Sequence, residues 1–285
     1  MTQIALSTWR QLPLFPLQSI FKQVVRSQKT IAKSTKDVKH RPSPCPIPRL
    51  KKAECVDLSK LKVIRARPNH VKAIRSLLVN QHWPVDQVVM GLWLNLSSPY
   101  LNLITDIYSQ TGDRLVIFEK KERTNEYRLI GFAVGRKKYK WMIEELENWA
   151  IATTSIPENI RIHFLAHCLR SPDFFYKYDV DYIYDIECVA TTDDVKGTGV
   201  EDLLMRAMIT EAALLGHPVI QHVSTSIYTS RLCERCGMKR EWTMNYRDLV
   251  DYRGRVLFFP RRPNHDVCIY LKYFDPSKSI NFSEL

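Results

Sequence analysis

Hydrophobic and polar positions take on a regular order only from about residue 61. Leu61–Arg67 reads as a strand, Pro68-Asn69 as a break with Asn69 as N-cap. His70–Trp93 carries Val71, Ile74, Leu77 and Leu78 at helical spacing, interrupted near Pro84. Arg114–Glu119 and Tyr127–Val134 are strands joined by a hairpin through Glu122–Glu126. A mixed stretch at 137–180 holds Trp141, Trp149, Phe174, Phe175, Tyr176 and Tyr178. The pattern then sharpens. Tyr182–Val189 is a strand, Ala190–Lys196 a turn leading into Gly197-Thr198-Gly199, and Val200–Leu215 a helix. Leu203, Leu204, Ala207, Met208 and Leu215 form its apolar face. Gly216-His217-Pro218 stops it. Val219–Val223 is a strand, Thr225–Arg235 a helix with Gly237 as its C′ residue, and Met238–Tyr246 and Val267–Phe274 are strands. This order predicts one mixed-sheet α/β domain over 61–285, preceded by a leader over 1–60.

The leader changes how the charge is read. The formal net charge is +12, yet residues 1–62 hold 13 Lys/Arg and only Asp37, Glu54 and Asp57 as acids. That leaves 29 of the 42 Lys/Arg and 27 of the 30 acids for residues 63–285, which are close to neutral. A nucleic-acid partner is therefore not expected, because that affinity needs basic residues gathered on a folded face. Met1–Lys36 lacks acids and places Leu17, Ile20, Phe21 and Val24 at helical spacing. Two readings stand: a mitochondrial transit peptide, which implies the matrix, or a disordered basic tail on an intracellular, cytoplasmic protein. Arg41–Pro48, with its alternate prolines, is a linker. The seven cysteines form an odd set without secreted-type spacing, and no run of about 18 apolar residues suggests a membrane span.

Lys196-Gly197-Thr198-Gly199 lies between a strand and a helix. Glycines there let the backbone approach a phosphate, and the first amides of the helix are free to donate, with the helix dipole favouring an anion. A pyrophosphate suits such a turn; a plain tight turn is the bland alternative.

Within its surrounding order of elements, this block resembles the acetyl-CoA-binding core of the GNAT superfamily of N-acyltransferases. The family signature, Arg/Gln-x-x-Gly-x-Gly/Ala after the fourth strand, corresponds to Asp194-Val195-Lys196-Gly197-Thr198-Gly199. Arg231–Met238 resembles the family's helix ending in a Glu-Lys-Leu-Gly-Phe-like turn. Ser224–Ser230 resembles the arylalkylamine acetyltransferase-like branch found in animals. The likeness is sharp over 182–246 and loose over 61–181. It implies a mixed, mostly antiparallel central sheet flanked by helices. It also implies acetyl-CoA as co-substrate in a V-shaped opening between the fourth and fifth strands. Cys188, Val189 and Ala190 would offer backbone groups to pantetheine, and the amides of Val195, Lys196, Gly197, Thr198, Gly199 and Val200 would cradle the pyrophosphate. A small-molecule primary amine, an arylalkylamine among the candidates, would attack the thioester directly.

Three positions depart from the family. Asp194, beside Asp193, replaces the Arg/Gln; Cys233 replaces the Tyr that often protonates the CoA thiolate; Trp83-Pro84 stands where the branch has Glu-Pro. Asp86, Glu187 (on one strand face with Asp185), Ser226 and Ser230 are the candidates for proton transfer. Each has a structural reading: surface placement for Asp86, an arginine partner for Glu187, helix capping for the serines. These departures keep open a GNAT-shaped module that binds acyl-CoA or a protein partner without turnover. No metal site is expected. Cys233-x-x-Cys236 lacks a second pair, and His163/His167 lack the glutamate of a zincin. Arg136–Lys140 reads as a solvated run or as a contact for the CoA 3′-phosphate. The aromatics of 137–180 read as core, or with Asp173, Asp179 and Asp181 as a pocket for an aromatic ammonium.

Overall fold

In a computed structural model, alternating burial resolves into seven strands: β1 (Val63–Arg65), β2 (Asp113–Lys120), β3 (Tyr127–Tyr139), β4 (Tyr182–Thr191), β5 (Val219–Ser224), β6 (Lys239–Asn245) and β7 (Asp266–Tyr273). The structure describes residues 56–120, 126–251 and 253–274, all within one compact unit, Arg49–Leu285. The transit-peptide and linker readings lie outside the described residues, as does most of the 122–126 hairpin turn. The strands form one sheet ordered β1-β2-β3-β4-β5-β7-β6. Every neighbouring pair is antiparallel except the parallel pair β4–β5. This is the mixed, mostly antiparallel sheet that the sequence implies.

Eight α-helices are described: α1 (Val71–Leu77), α2 (Gln87–Gly91), α3 (Pro99–Gln110), α4 (Met142–Ala152), α5 (Ile156–Arg170), the single turn α6 (Phe174–Lys177), α7 (Val200–Leu214) and α8 (Ile227–Arg235). α3 adds to the elements read from the pattern. Ser98 caps it, its side chain accepting from Leu101 N, and Pro99 opens it. Asn69 does not cap a helix; it lies inside the 3-10 turn Pro68–His70 that leads into α1.

Two hydrophobic clusters line the sheet. On one face, Val116, Phe132, Val134, Ile183 and Cys188 meet Ile74, Leu101, Ile162 and Phe164 from α1, α3 and α5. On the other, Leu115, Ile117, Ile130, Ala133 and Ile186 meet Val200, Leu204, Met208 and Ile209 of α7. Leu215 falls at the C-cap, outside that stripe, and is 49% exposed.

Gly131 seats α7. A Cβ there would come within 2.8 Å of Leu204 Cδ1 and 3.2 Å of Val200 Cγ1. Absence of a side chain on β3 thus lets the first turns of α7 lie close on the sheet. Gly131→Ala is expected to lower unfolding free energy by about 1–3 kcal/mol in urea titrations, as overpacking does.

Candidate functional site

β4 is held firmly on one side only. Against β3 it pairs from Gly131↔Thr191 through Tyr139↔Tyr182, with a bulge between Val134↔Cys188 and Gly135↔Ile186 that leaves Glu187 as the extra residue. Against β5 it pairs at two rungs, Tyr184↔Ile220 and Asp185↔Gln221. Beyond them one side chain spans the seam: His222 Nδ1 lies 2.5 Å from the carbonyl oxygen of Ile186. Donation to that carbonyl puts the imidazole proton on Nδ1 and leaves Nε2, buried and without a partner, as an acceptor. The two strands part from there toward Cys188, Val189 and Ala190.

The loop leaving β4 runs to the start of α7. Val195 is buried and anchors it, while Gly197 and Gly199 take φ of +76° and +96°, a region that glycine enters without strain. Gly199 is the N-cap of α7, and no side chain caps the helix. The opening amides therefore present donors and a positive dipole end.

Four acids surround these amides, and each has a partner. Asp193 contacts Lys196 Nζ at 2.5 Å. Asp194 contacts Arg128 Nη2 at 2.6 Å, an arginine that also holds Glu119 at 2.7 Å. Glu201 accepts from Thr191 Oγ1 at 2.8 Å, and Asp202 binds Arg235 through both oxygens at 2.6 and 2.9 Å. Burial tends to raise the Asp194 pKa, but hydrogen bonds, Arg128's among them, outweigh it and leave the carboxyl below its ordinary value. The loop thus pairs its acids with other groups rather than turning them into the amide cup. Helix N-terminus, glycines and parted strands together suit a diphosphate joined to an extended arm.

On the opposite face of the sheet His82, Trp83 and Tyr108 cluster beside Cys188. Its Sγ lies 3.5 Å from His82 Nε2. The His82 ring packs 4.7 Å from that of Trp83, whose indole donates to Thr105 Oγ1 at 2.8 Å. His82 and Tyr108 keep some accessible surface. Protein nonetheless surrounds them closely enough that burial pushes the imidazole down to about 4 and the phenol well up.

No protein-family model matches the sequence, and no curated protein matches it. Solved structures match its shape. A mosquito arylalkylamine N-acetyltransferase like 5b aligns with a TM-score of 0.66 at 18% identity, over 75% of this chain and 100% of that one. Arylalkylamine N-acetyltransferase 2 from Aedes aegypti gives 0.69 at 16%, over 76% and 100%. A polyamine N-acetyltransferase of Drosophila melanogaster, which forms N-acetylagmatine, gives 0.66 at 16%, over 75% and 100%. The chain has the GNAT fold.

Within that GNAT fold the residues singled out from sequence divide into two groups. Cys188, Val189 and Ala190 line the parting strands, and Val195–Val200 form the loop and the amide cup. The proton-transfer candidates each have a partner within the protein. Arg136 Nε donates to Glu187 at 2.6 Å, and Lys138 also pairs with it. Asp86 N-caps α2, accepting from Val89 N at 2.8 Å, and contacts Arg161 at 3.4 Å. Ser226 caps α8, accepting from Thr229 N at 3.1 Å, while Ser230 lies 3.0 Å from Ser224 Oγ. Cys233 and Cys236 are buried against Tyr270 and Met238.

The run Arg136–Lys140 is solvated only at Lys137 and Lys140. Its first four residues complete β3, and Arg136 and Lys138 turn onto Glu187, because Glu187 would otherwise be a nearly buried lone carboxylate. Asp173, Asp179 and Asp181 are exposed, so they do not furnish an acidic pocket. His82, Arg161 and His222 went unmarked in the sequence. For His82 the available signal was its place directly before Trp83-Pro84; for the other two there was none, since their roles depend on strand pairing and helix packing.

His82 carries a pH signature. Its folded pKa lies below the reference value of 6.5, so its contribution to stability is complete above pH 6.5 and is lost as pH falls toward about 4. Relative to His82→Gln, the wild type is expected to lose roughly 3 kcal/mol of unfolding free energy across that window. Chemical denaturation at stepped pH checks this; a difference independent of pH would contradict it.

Proposed function

We propose that this protein transfers the acetyl group of acetyl-CoA to a primary amine. The parting of β4 from β5, leading to an uncapped helix N-terminus whose neighbouring acids are all paired, carries that reading. Residues Val195–Val200 would hold the diphosphate and Cys188–Ala190 the extended arm, and the thioester would supply the activated acyl carbon. The amine nitrogen bonds to that carbon as the carbon–sulfur bond breaks; the amine gives up a proton and the thiolate gains one. His82, unprotonated at neutral pH and in contact with Cys188, is assigned to receive the amine's proton, directly or through water. Ser230 is assigned to return one to sulfur, since it bonds Ser224 and burial keeps the neighbouring Tyr270 hydroxyl protonated up to about 12. Asp86 and Glu187 would act through charge rather than as bases, each being held by cations.

The buried Cys233 and the clamped Glu187 favour a second reading, an acyl-CoA-binding module without turnover. Thiol release from acetyl-CoA over an amine panel separates the two. Release that depends on amine, with kcat lowered about 100-fold in His82→Gln, supports the transferase. Binding without release on any amine supports the module.

The loop charges give a further expectation. Arg128→Gln frees Asp194 beside the amide cup and is expected to weaken acetyl-CoA binding about 10-fold. Adding Asp194→Asn should restore it, as read by calorimetry.

A further inference from the structure

The cluster beside Cys188 contains a buried guanidinium that acetyl transfer to a simple amine leaves without a task. Arg161 on α5 is 6% exposed. Its Nε donates to Tyr100 Oη at 3.1 Å, and its Nη1 reaches Asp86 Oδ1 at 3.4 Å. The group lies 5.7 Å from the Trp83 ring centroid and 6.0 Å from that of Tyr100. Burial opposes its charge, but Tyr100 and Asp86 hold the cation.

A buried guanidinium is costly unless acceptors meet its planar fork of donors. An arginine that serves only as a structural tie normally grips its carboxylate through two short parallel bonds. Here the carboxylate contact is single and long, and the same oxygen already accepts Val89 N at 2.8 Å as a helix cap. Arg161 is thus held in place without being saturated. Arg161 lies against Trp83, which packs on His82, which in turn contacts Cys188, so it belongs to this cluster and not to a separate part of the core.

The surrounding charge points the same way. Arg161, Arg136 and Lys138 stand against Asp86 and Glu187. Asp185 is buried nearby, and burial raises its pKa to about 7, so it is only partly ionised near neutrality. Trp83 and Tyr100 flank the guanidinium, and the Tyr108 ring lies 5.8 Å from that of Trp83. A plain ammonium placed here would be repelled by these fixed cations.

We propose that the acceptor at this site carries a carboxylate as well as its amine, as an aromatic amino acid does, with Arg161 receiving the carboxylate. This specificity rests on the acetyl-transfer reading for the amine, but the anion site is testable without turnover.

N-acetylphenylalanine and N-acetylphenethylamine differ only by the carboxylate. Calorimetry with the full chain is expected to show the first binding at least ~10-fold more tightly. Arg161→Lys should keep part of that preference. Because removing Arg161 alone strands Asp86, the charge-free pair Arg161→Gln with Asp86→Asn is the decisive variant, and it should bind the two amides equally. Equal binding by the wild type, or a preference that survives in the double variant, would overturn the proposal. Thiol release with phenylalanine and phenethylamine separates the two claims. Release with phenethylamine but not phenylalanine removes the carboxylate specificity and leaves the transferase. The binding preference without release on either amine supports the anion site and removes the transferase.

Discussion

Everything proposed for this protein depends on β4 and β5 parting after two rungs of parallel pairing. Backbone donors and acceptors in a sheet interior are ordinarily paired, and leaving them open costs stability unless something else engages them. The parting is sustained from both sides: β4 remains laced to β3 along its full length, and β5 to β7. His222 closes the seam at its narrow end by bonding Ile186, and the strands are free beyond it. The same opening that weakens the sheet gives an extended ligand backbone groups to bind.

Charge is the second constraint. A loop rich in acids is a poor host for a diphosphate, since like charges at short range repel. This loop offsets its acids one at a time, with Lys196, Arg128, Thr191 and Arg235 each drawing a carboxylate aside. Asp194 stands where the signature that this loop resembles has Arg or Gln, and Arg128 on β3 pairs with it from a neighbouring strand. Glu187 follows the same logic on the other face of the sheet, where the bulge exposes it to the interior and Arg136 and Lys138 neutralise it.

Most of the fold was legible in the sequence. β4, the glycine turn, α7, β5 and α8 announce themselves through periodicity and glycine placement, which are local signals. α3 was not read, although its Ser98-Pro99 start and the spacing of Leu101, Ile104 and Tyr108 are local signals of the same kind. The glycine loop over Val195–Val200 was readable because its shape belongs to a contiguous backbone. The proton-transfer groups were not, for a physical reason. The task of a side chain such as Glu187 or Arg161 is set by which distant residue it meets, and the bulge that redirects Glu187 exists only through pairing with β3. His82 and His222 become distinctive only when burial holds them neutral.

Amide NMR of the full chain during titration with CoA tests the central claim most directly. The largest shifts and the strongest protection from hydrogen exchange are predicted at the amides of Gly197–Leu203 and along Cys188–Ala190, with β3 little changed. Binding that leaves those amides unperturbed, or shifts centred on another part of the sheet, would contradict the account.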